Sequence, residues 1–245
     1  MKKTVIALAL LVTAAQAPAQ EQLTGMFRMS QTPVEAAGEQ MALALDEIVP
    51  ANEPLRWQVY VPDAYSGERP PGVFVFLDPK GWGGIPDQWR PVLDDHNLIW
   101  VGPNANEPRP SLERQIWHAI LGLRAIEQQY DINLSRVYIG SALPEKAAVS
   151  LNAQLFVNDF GGTIYMRGSV MWQALEPDML EMLQRKRHVF ITGTNDPNKG
   201  QIRRDYEAFK KAGVNNVKLI FDTQRIGDLP DADHMNEALR FLDSN

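Results

Sequence analysis

Acyl transfer needs a nucleophile, a base that takes its proton, and an acid that orients the base. The base is the scarcest residue type here, because the 245-residue chain holds four histidines. His96 and His188 each precede an apolar run and so fall at the N-terminal edge of a strand. His118 lies inside a helical pattern, where packing or solvation accounts for it. His234, between Asp231 and Asp233, falls between the last strand pattern and the last helix pattern. It is the candidate base. Ser141 follows the run Val137-Tyr138-Ile139-Gly140 and is the candidate nucleophile. Asp196, in Gly193-Thr194-Asn195-Asp196-Pro197, stands just past another apolar run and is the candidate acid. Each has a plainer role open to it. His234 can be a surface residue at a helix start, Ser141 can bond a turn backbone, and Asp196 can cap the helix that follows.

The surroundings of these residues argue against the chemistry. A nucleophile elbow reads G-x-S-x-G, because the strand must turn sharply into a helix. This turn reads Gly140-Ser141-Ala142-Leu143-Pro144-Glu145-Lys146, with Leu143 and Pro144 where a glycine should relieve crowding. The loop Asp78-Pro79-Lys80-Gly81-Trp82-Gly83-Gly84 stands where backbone N–H groups would stabilise an oxyanion. Pro79 has no N–H to give, and the Asp78 carboxylate opposes a developing negative charge. No histidine pair or carboxylate cluster has metal-ligand spacing, and no glycine-rich phosphate or dinucleotide motif follows a strand. Neither a metal nor another cofactor is expected. Trp82, Trp89 and Trp100 leave open a carbohydrate-binding row, provided that all three indoles are exposed together.

The elements that would position these groups alternate. Strand patterns at Arg56 to Val61, Val73 to Leu77, Leu98 to Val101, Val137 to Ile139, Thr163 to Met166, Val189 to Thr192 and Val217 to Phe221 are separated by helical patterns. The helices are expected over Val34 to Ile48, Gln88 to Asp94, the stretch after Ser111, the stretch opened by Pro144 and Glu145 and continued to Leu151, Asp178 to Arg187, Asn198 to Ala212 and Ala232 to Leu242. Strand–helix alternation predicts an α/β fold, with a mostly parallel central sheet flanked by helices. Its functional crevice lies at the C-terminal ends of the strands.

Composition limits the function classes. The chain is 44% hydrophobic and 22% charged, with net charge −6 and no cysteine. Without cysteine there is no disulfide, thiolate chemistry or Cys-ligated zinc. An acidic chain whose one tight basic run is Arg185-Lys186-Arg187 does not suit nucleic acid; the run reads as a helix C-terminus. Residues 1–19 read as a signal peptide: Lys2 and Lys3, an apolar Val5 to Ala15 too short to span a bilayer, and Ala17-Pro18-Ala19 before Gln20. Residues 20–245 then form a single domain, exported to the periplasm or the medium, with no transmembrane segment.

Four stretches carry a family resemblance: Trp89 to Leu93 with Leu98 to Gly102; Tyr130-Asp131-Ile132 with Arg136 to Ile139; Gly193 to Asp196 with Arg203 to Ala208; and Leu229 to Ala232 with Ala238 to Leu242. In order and spacing they resemble the exported esterase-like α/β-hydrolases related to polyhydroxybutyrate depolymerases and feruloyl esterases. That resemblance implies the α/β-hydrolase fold from roughly Leu55 to the C-terminus. It places the nucleophile position on Leu143, the histidine position on Gly227 and the acid position on Asp196. The expectation is an esterase-like scaffold whose catalytic motifs have degenerated. Asp78, Leu143 and Gly227 would mark a vestigial pocket for a small-molecule or carbohydrate ligand, or a protein partner. The alternative is an active carboxylic ester hydrolase using a displaced Ser141, Asp196 and His234.

Overall fold

The computed structural model describes residues 22–78, 80–104, 110–142, 146–169, 177–224 and 228–244. Residues 1–19, Leu143 and Gly227 lie outside the described residues. The chain opens on β1 (Gly25–Gln31), α1 (Pro33–Ala37), α2 (Glu39–Leu45) and β2 (Leu55–Val61). The single helix expected over Val34 to Ile48 is two helices, broken at Gly38. Thr32 caps α1 through a reciprocal capping box with Glu35. Next come β3 (Gly72–Leu77), α3 (Arg90–Asp95), β4 (Leu98–Asn104), α4 (Leu112–Gln129) and β5 (Val137–Ala142). The chain closes with α5 (Lys146–Leu155), β6 (Gly162–Met166), α6 (Pro177–Gln184), β7 (Arg187–Gly193), α7 (Lys199–Lys211), β8 (Val217–Asp222) and α8 (Ala232–Asp243).

Eight strands form one sheet in the order β1-β2-β4-β3-β5-β6-β7-β8. β1 runs antiparallel to β2, and β2 antiparallel to β4. From β4 onward every pairing is parallel. The run Val73 to Leu77 is buried throughout, as a strand covered on both faces must be.

The two faces have separate cores. Val137 and Ile139 of β5 belong to one core with Ala36 of α1, Ile120 of α4, Val149 of α5, and Ile202 and Phe209 of α7. Tyr138 and Ala142 face the other way, toward α3 and α8, with Leu93, Met235, Leu239 and Leu242. A strand alternates its side chains with period two, so Ser141 belongs with Val137 and Ile139. That alternation decides the fate of the candidate nucleophile.

Two sequence expectations are corrected here. The helix expected to run to Arg187 stops at Gln184, so Arg185-Lys186-Arg187 directly follows the last turn of α6, and Arg187 already pairs with Gly162 as the first residue of β7. His188 is therefore inside that strand and fully buried, with its Nε2 3.2 Å from the Leu183 carbonyl oxygen. Among the described residues, no helix is long and apolar enough to cross a membrane.

Candidate functional site

The parallel strands end at one crevice of about 670 Å³. Asp78, Lys80, Trp82 and Gly84 line it from the loop after β3, and Ala142 from the end of β5. Arg167 enters just beyond β6, Asp196 and Asn198 beyond β7, and Gln224 beyond β8. Asp228 and Leu229 close it on the approach to α8.

The loop after β3 is organised by its own first residue. Asp78 Oδ1 accepts the backbone N–H of Lys80 at 3.0 Å. Its Oδ2 accepts those of Trp82 at 3.0 Å and Gly83 at 3.2 Å. The Gly81 N–H donates to the Asp78 carbonyl oxygen at 2.9 Å. Four successive amides therefore turn inward onto one aspartate. Carboxylates gather backbone N–H groups in this way because the bonds are charge-assisted. The loop is also seated on β4. A β-carbon on Gly83 would lie 2.1 Å from the Gly102 carbonyl oxygen, so both glycines are required for the two backbones to touch. Trp100 Nε1 donates to the Gly83 carbonyl oxygen at 2.9 Å and fastens the contact.

The floor is an ionic cluster that the sequence reading did not single out. Arg167 Nη2 donates to both carboxylate oxygens of Asp222, at 3.0 and 2.8 Å, and its Nε donates to the Asp228 carbonyl oxygen at 2.8 Å. Arg167 is 5% exposed and Asp222 is fully buried. A bidentate pair with further bonds is the arrangement that makes burying two charges tolerable. The Arg167 backbone lies in the left-handed region, φ +59°, which a non-glycine residue adopts only when its surroundings hold it there. Its N–H donates to the Ile191 carbonyl oxygen of β7 at 2.8 Å. Nη1 is buried without a hydrogen-bond partner, and lies 4.0 Å from Asp196 Oδ2.

Asp196 faces the crevice and also serves its own turn. Its Oδ2 accepts from the Thr192 hydroxyl at 2.9 Å and its Oδ1 from the Asn198 N–H at 2.8 Å. It thus shapes the entry to α7, as a loop aspartate before a helix can.

The other two candidate catalytic residues do not join it. Ser141 is the fifth residue of β5, 1% exposed, and its hydroxyl makes no hydrogen bond. It points to the face covered by α4 and α5. His234 stands at the start of α8, on the opposite face of the sheet. There Asp231 caps the helix, accepting the His234 N–H at 3.0 Å while His234 Nδ1 lies 2.6 Å from the same Oδ1. Ser141 Oγ and His234 Nδ1 are not hydrogen-bonded to each other: the serine hydroxyl is unpartnered and the imidazole lies against Asp231. The row of three indoles is not formed either. Trp89 and Trp100 are fully buried, their Nε1 groups donating to the Pro230 and Gly83 carbonyl oxygens, whereas Trp82 is 71% exposed. Among the described residues, no group of His, Asp or Glu is placed to hold a metal ion.

Arg167 and Asp222 carried a faint signal: each is a charged residue directly at the C-terminal end of an apolar strand, beside the crevice that the alternating pattern predicts. Their pairing spans 55 residues of sequence, so nothing local announces it.

No family model and no curated protein matches the sequence. Solved structures do resemble it. A ferulic acid esterase superposes with a TM-score of 0.60 at 14% identity, over 89% of this chain and 96% of that one. The LpqC poly(3-hydroxybutyrate) depolymerase of Bordetella parapertussis gives a TM-score of 0.58 at 15% identity, over 88% and 87% of the two chains. A thermostable esterase gives 0.56 at 16% identity; 78% of this chain is matched, and it spans 59% of that protein's length. The strand order and these likenesses agree: the chain has the α/β-hydrolase fold.

Proposed function

We propose that this protein is an exported α/β-hydrolase-fold protein that binds a ligand in the crevice and does not cleave esters. The observation that carries the reading is the Asp78 carboxylate. An oxyanion hole works by aiming free N–H groups at the place where negative charge develops. Here the amides of Lys80, Trp82 and Gly83 are taken by a carboxylate of the same loop. An internal anion stands in for the substrate's. The lack of a hydrogen bond between Ser141 and His234 supports the same reading, as does the family resemblance, which puts the nucleophile and base positions on Leu143 and Gly227. What the fold keeps is a crevice with a buried ionic floor.

The test is hydrolysis of short p-nitrophenyl esters by the purified protein. The expected rate is that of the uncatalysed reaction, unchanged by Ser141→Ala. Saturable turnover that disappears with Ser141→Ala overturns the reading. Export is tested separately, by the N-terminal mass of the protein recovered from the medium or periplasm of an expressing cell. A mature chain starting at Gln20 is expected, and retention of Met1 to Ala19 would contradict it.

A further inference from the structure

Arg167 Nη1 is a buried donor with no hydrogen-bond partner, in a residue 5% exposed that lines the crevice. A buried guanidinium N–H left unpaired is costly. Opposite it, 4.0 Å away, stands Asp196 Oδ2. That separation is too long for a direct hydrogen bond. It is the right span for one oxygen atom placed between the two, with sides of about 2.8 Å and an apex angle of roughly 90°. The intervening group must accept from Nη1 and donate to the carboxylate. A hydroxyl does both; a carboxylate ligand cannot donate, and an ammonium cannot accept.

Charge narrows the choice further. Asp222 already neutralises Arg167 through two hydrogen bonds. Of the other charged residues lining the crevice, Asp78, Asp196 and Asp228 outnumber Lys80. An anion entering would meet net negative charge, and a cation would have to sit against the guanidinium. Above the floor the Trp82 indole stands 71% exposed on the same crevice, offering a flat apolar surface with no partner of its own to cover it.

From this geometry we infer that the crevice takes a neutral, hydroxyl-bearing ligand, one hydroxyl bridging Arg167 Nη1 and Asp196 Oδ2 while an apolar face of the ligand lies on Trp82. The inference rests on the reading of the crevice as a non-hydrolytic binding site and gives that site its ligand class.

Ligand-observed saturation-transfer NMR on the full mature chain tests it. The probes are a panel of neutral methyl glycosides and linear polyols, set beside the uronates and amino sugars of the same skeletons, at tens of millimolar. At least one neutral probe is expected to bind, at least tenfold more tightly than its charged counterparts. Asp196→Asn should weaken that binding at least tenfold, because it replaces the acceptor facing the hydroxyl with a group that can donate. Trp82→Ala should weaken it as well, and this exposed side chain can be removed without disturbing the core. Equal or tighter binding of the charged counterparts overturns the inference. So does binding of a neutral probe that neither variant alters, or the absence of binding by every probe, which would leave the gap between Arg167 and Asp196 to water. Each of these results leaves the non-hydrolytic reading in place, since only ester turnover removes that.

Discussion

A β-carbon on Gly193 would lie 2.7 Å from Arg167 Nη1 and 3.0 Å from Asp222 Oδ1. The guanidinium crosses the end of β7 to reach β8, and it crosses over the one residue there that has no side chain. Gly193→Ala therefore predicts a broken or displaced ion pair rather than a strained backbone. Disrupting a buried pair costs about 3 kcal/mol, because a charge is left without its partner. Urea unfolding should show a loss of that order, and Asp222→Asn should show a similar one. The double variant should lose much less than the sum of the two, since both remove the same interaction.

Asp78→Ala removes the acceptor of three backbone amides in the loop after β3. The loop is partly exposed, so water replaces some of what is lost, and the expected destabilisation is about 1–2 kcal/mol. The more specific consequence is local. Amide hydrogen exchange at Lys80, Trp82 and Gly83 should speed up in the variant, while exchange in β3 and β5 stays as it was. Uniformly raised exchange across the sheet would mean that the carboxylate supports the whole fold and not the loop.

Stability should depend on pH in two opposed ways. His96 is half-buried, and burial alone would lower its pKa. Hydrogen bonds to Asp243 and Asn236, at 2.6 and 2.9 Å, outweigh that and hold it above the ordinary value. Its contribution is present below pH 6.5, the ordinary value, and is lost as the pH rises through the raised one. Its partner Asp243 is pushed up by burial, but bonds from His96, Arg136 and Tyr138 bring it down to about 2. Its contribution is lost only as the pH falls from about 3.8 toward that value. His118 and His188 behave oppositely. Burial lowers each to about 4, so both cost stability as the pH falls from 6.5 toward 4. Urea midpoints from pH 8 to pH 4.5 should thus fall on acidification, two histidines against one. His96→Gln should steepen the fall, whereas His188→Gln should flatten it. A midpoint that rises on acidification would contradict the balance.

Much of the scaffold could be read from the chain, because a fully buried parallel strand must be apolar on both faces. Val73 to Leu77 shows this, and Ala232 to Leu242 shows its helical counterpart in an apolar stripe. Neighbour order could not be read. Nothing local in Leu98 to Val101 tells that β4 lies between β2 and β3, or that it runs on through Gly102 and Pro103 to pair with Trp57. The position of Ser141 depends on where β5 ends. Read as a turn residue it faces a crevice; with the strand continuing through Ala142, period two sends it into the core. Asp78 was legible as a charge hostile to an oxyanion, but not as the acceptor that gathers the loop's amides, because that requires the folded turn. Arg167 and Asp222 meet only after β7 has been laid between β6 and β8.

The central claim is that no activated serine stands at this crevice. Its most direct test is the intact mass of the mature protein after prolonged incubation with a fluorophosphonate, which phosphonylates a serine only where a base and an oxyanion site activate it. The account predicts an unchanged mass. A stoichiometric adduct mapped to Ser141, and absent in Ser141→Ala, would contradict it.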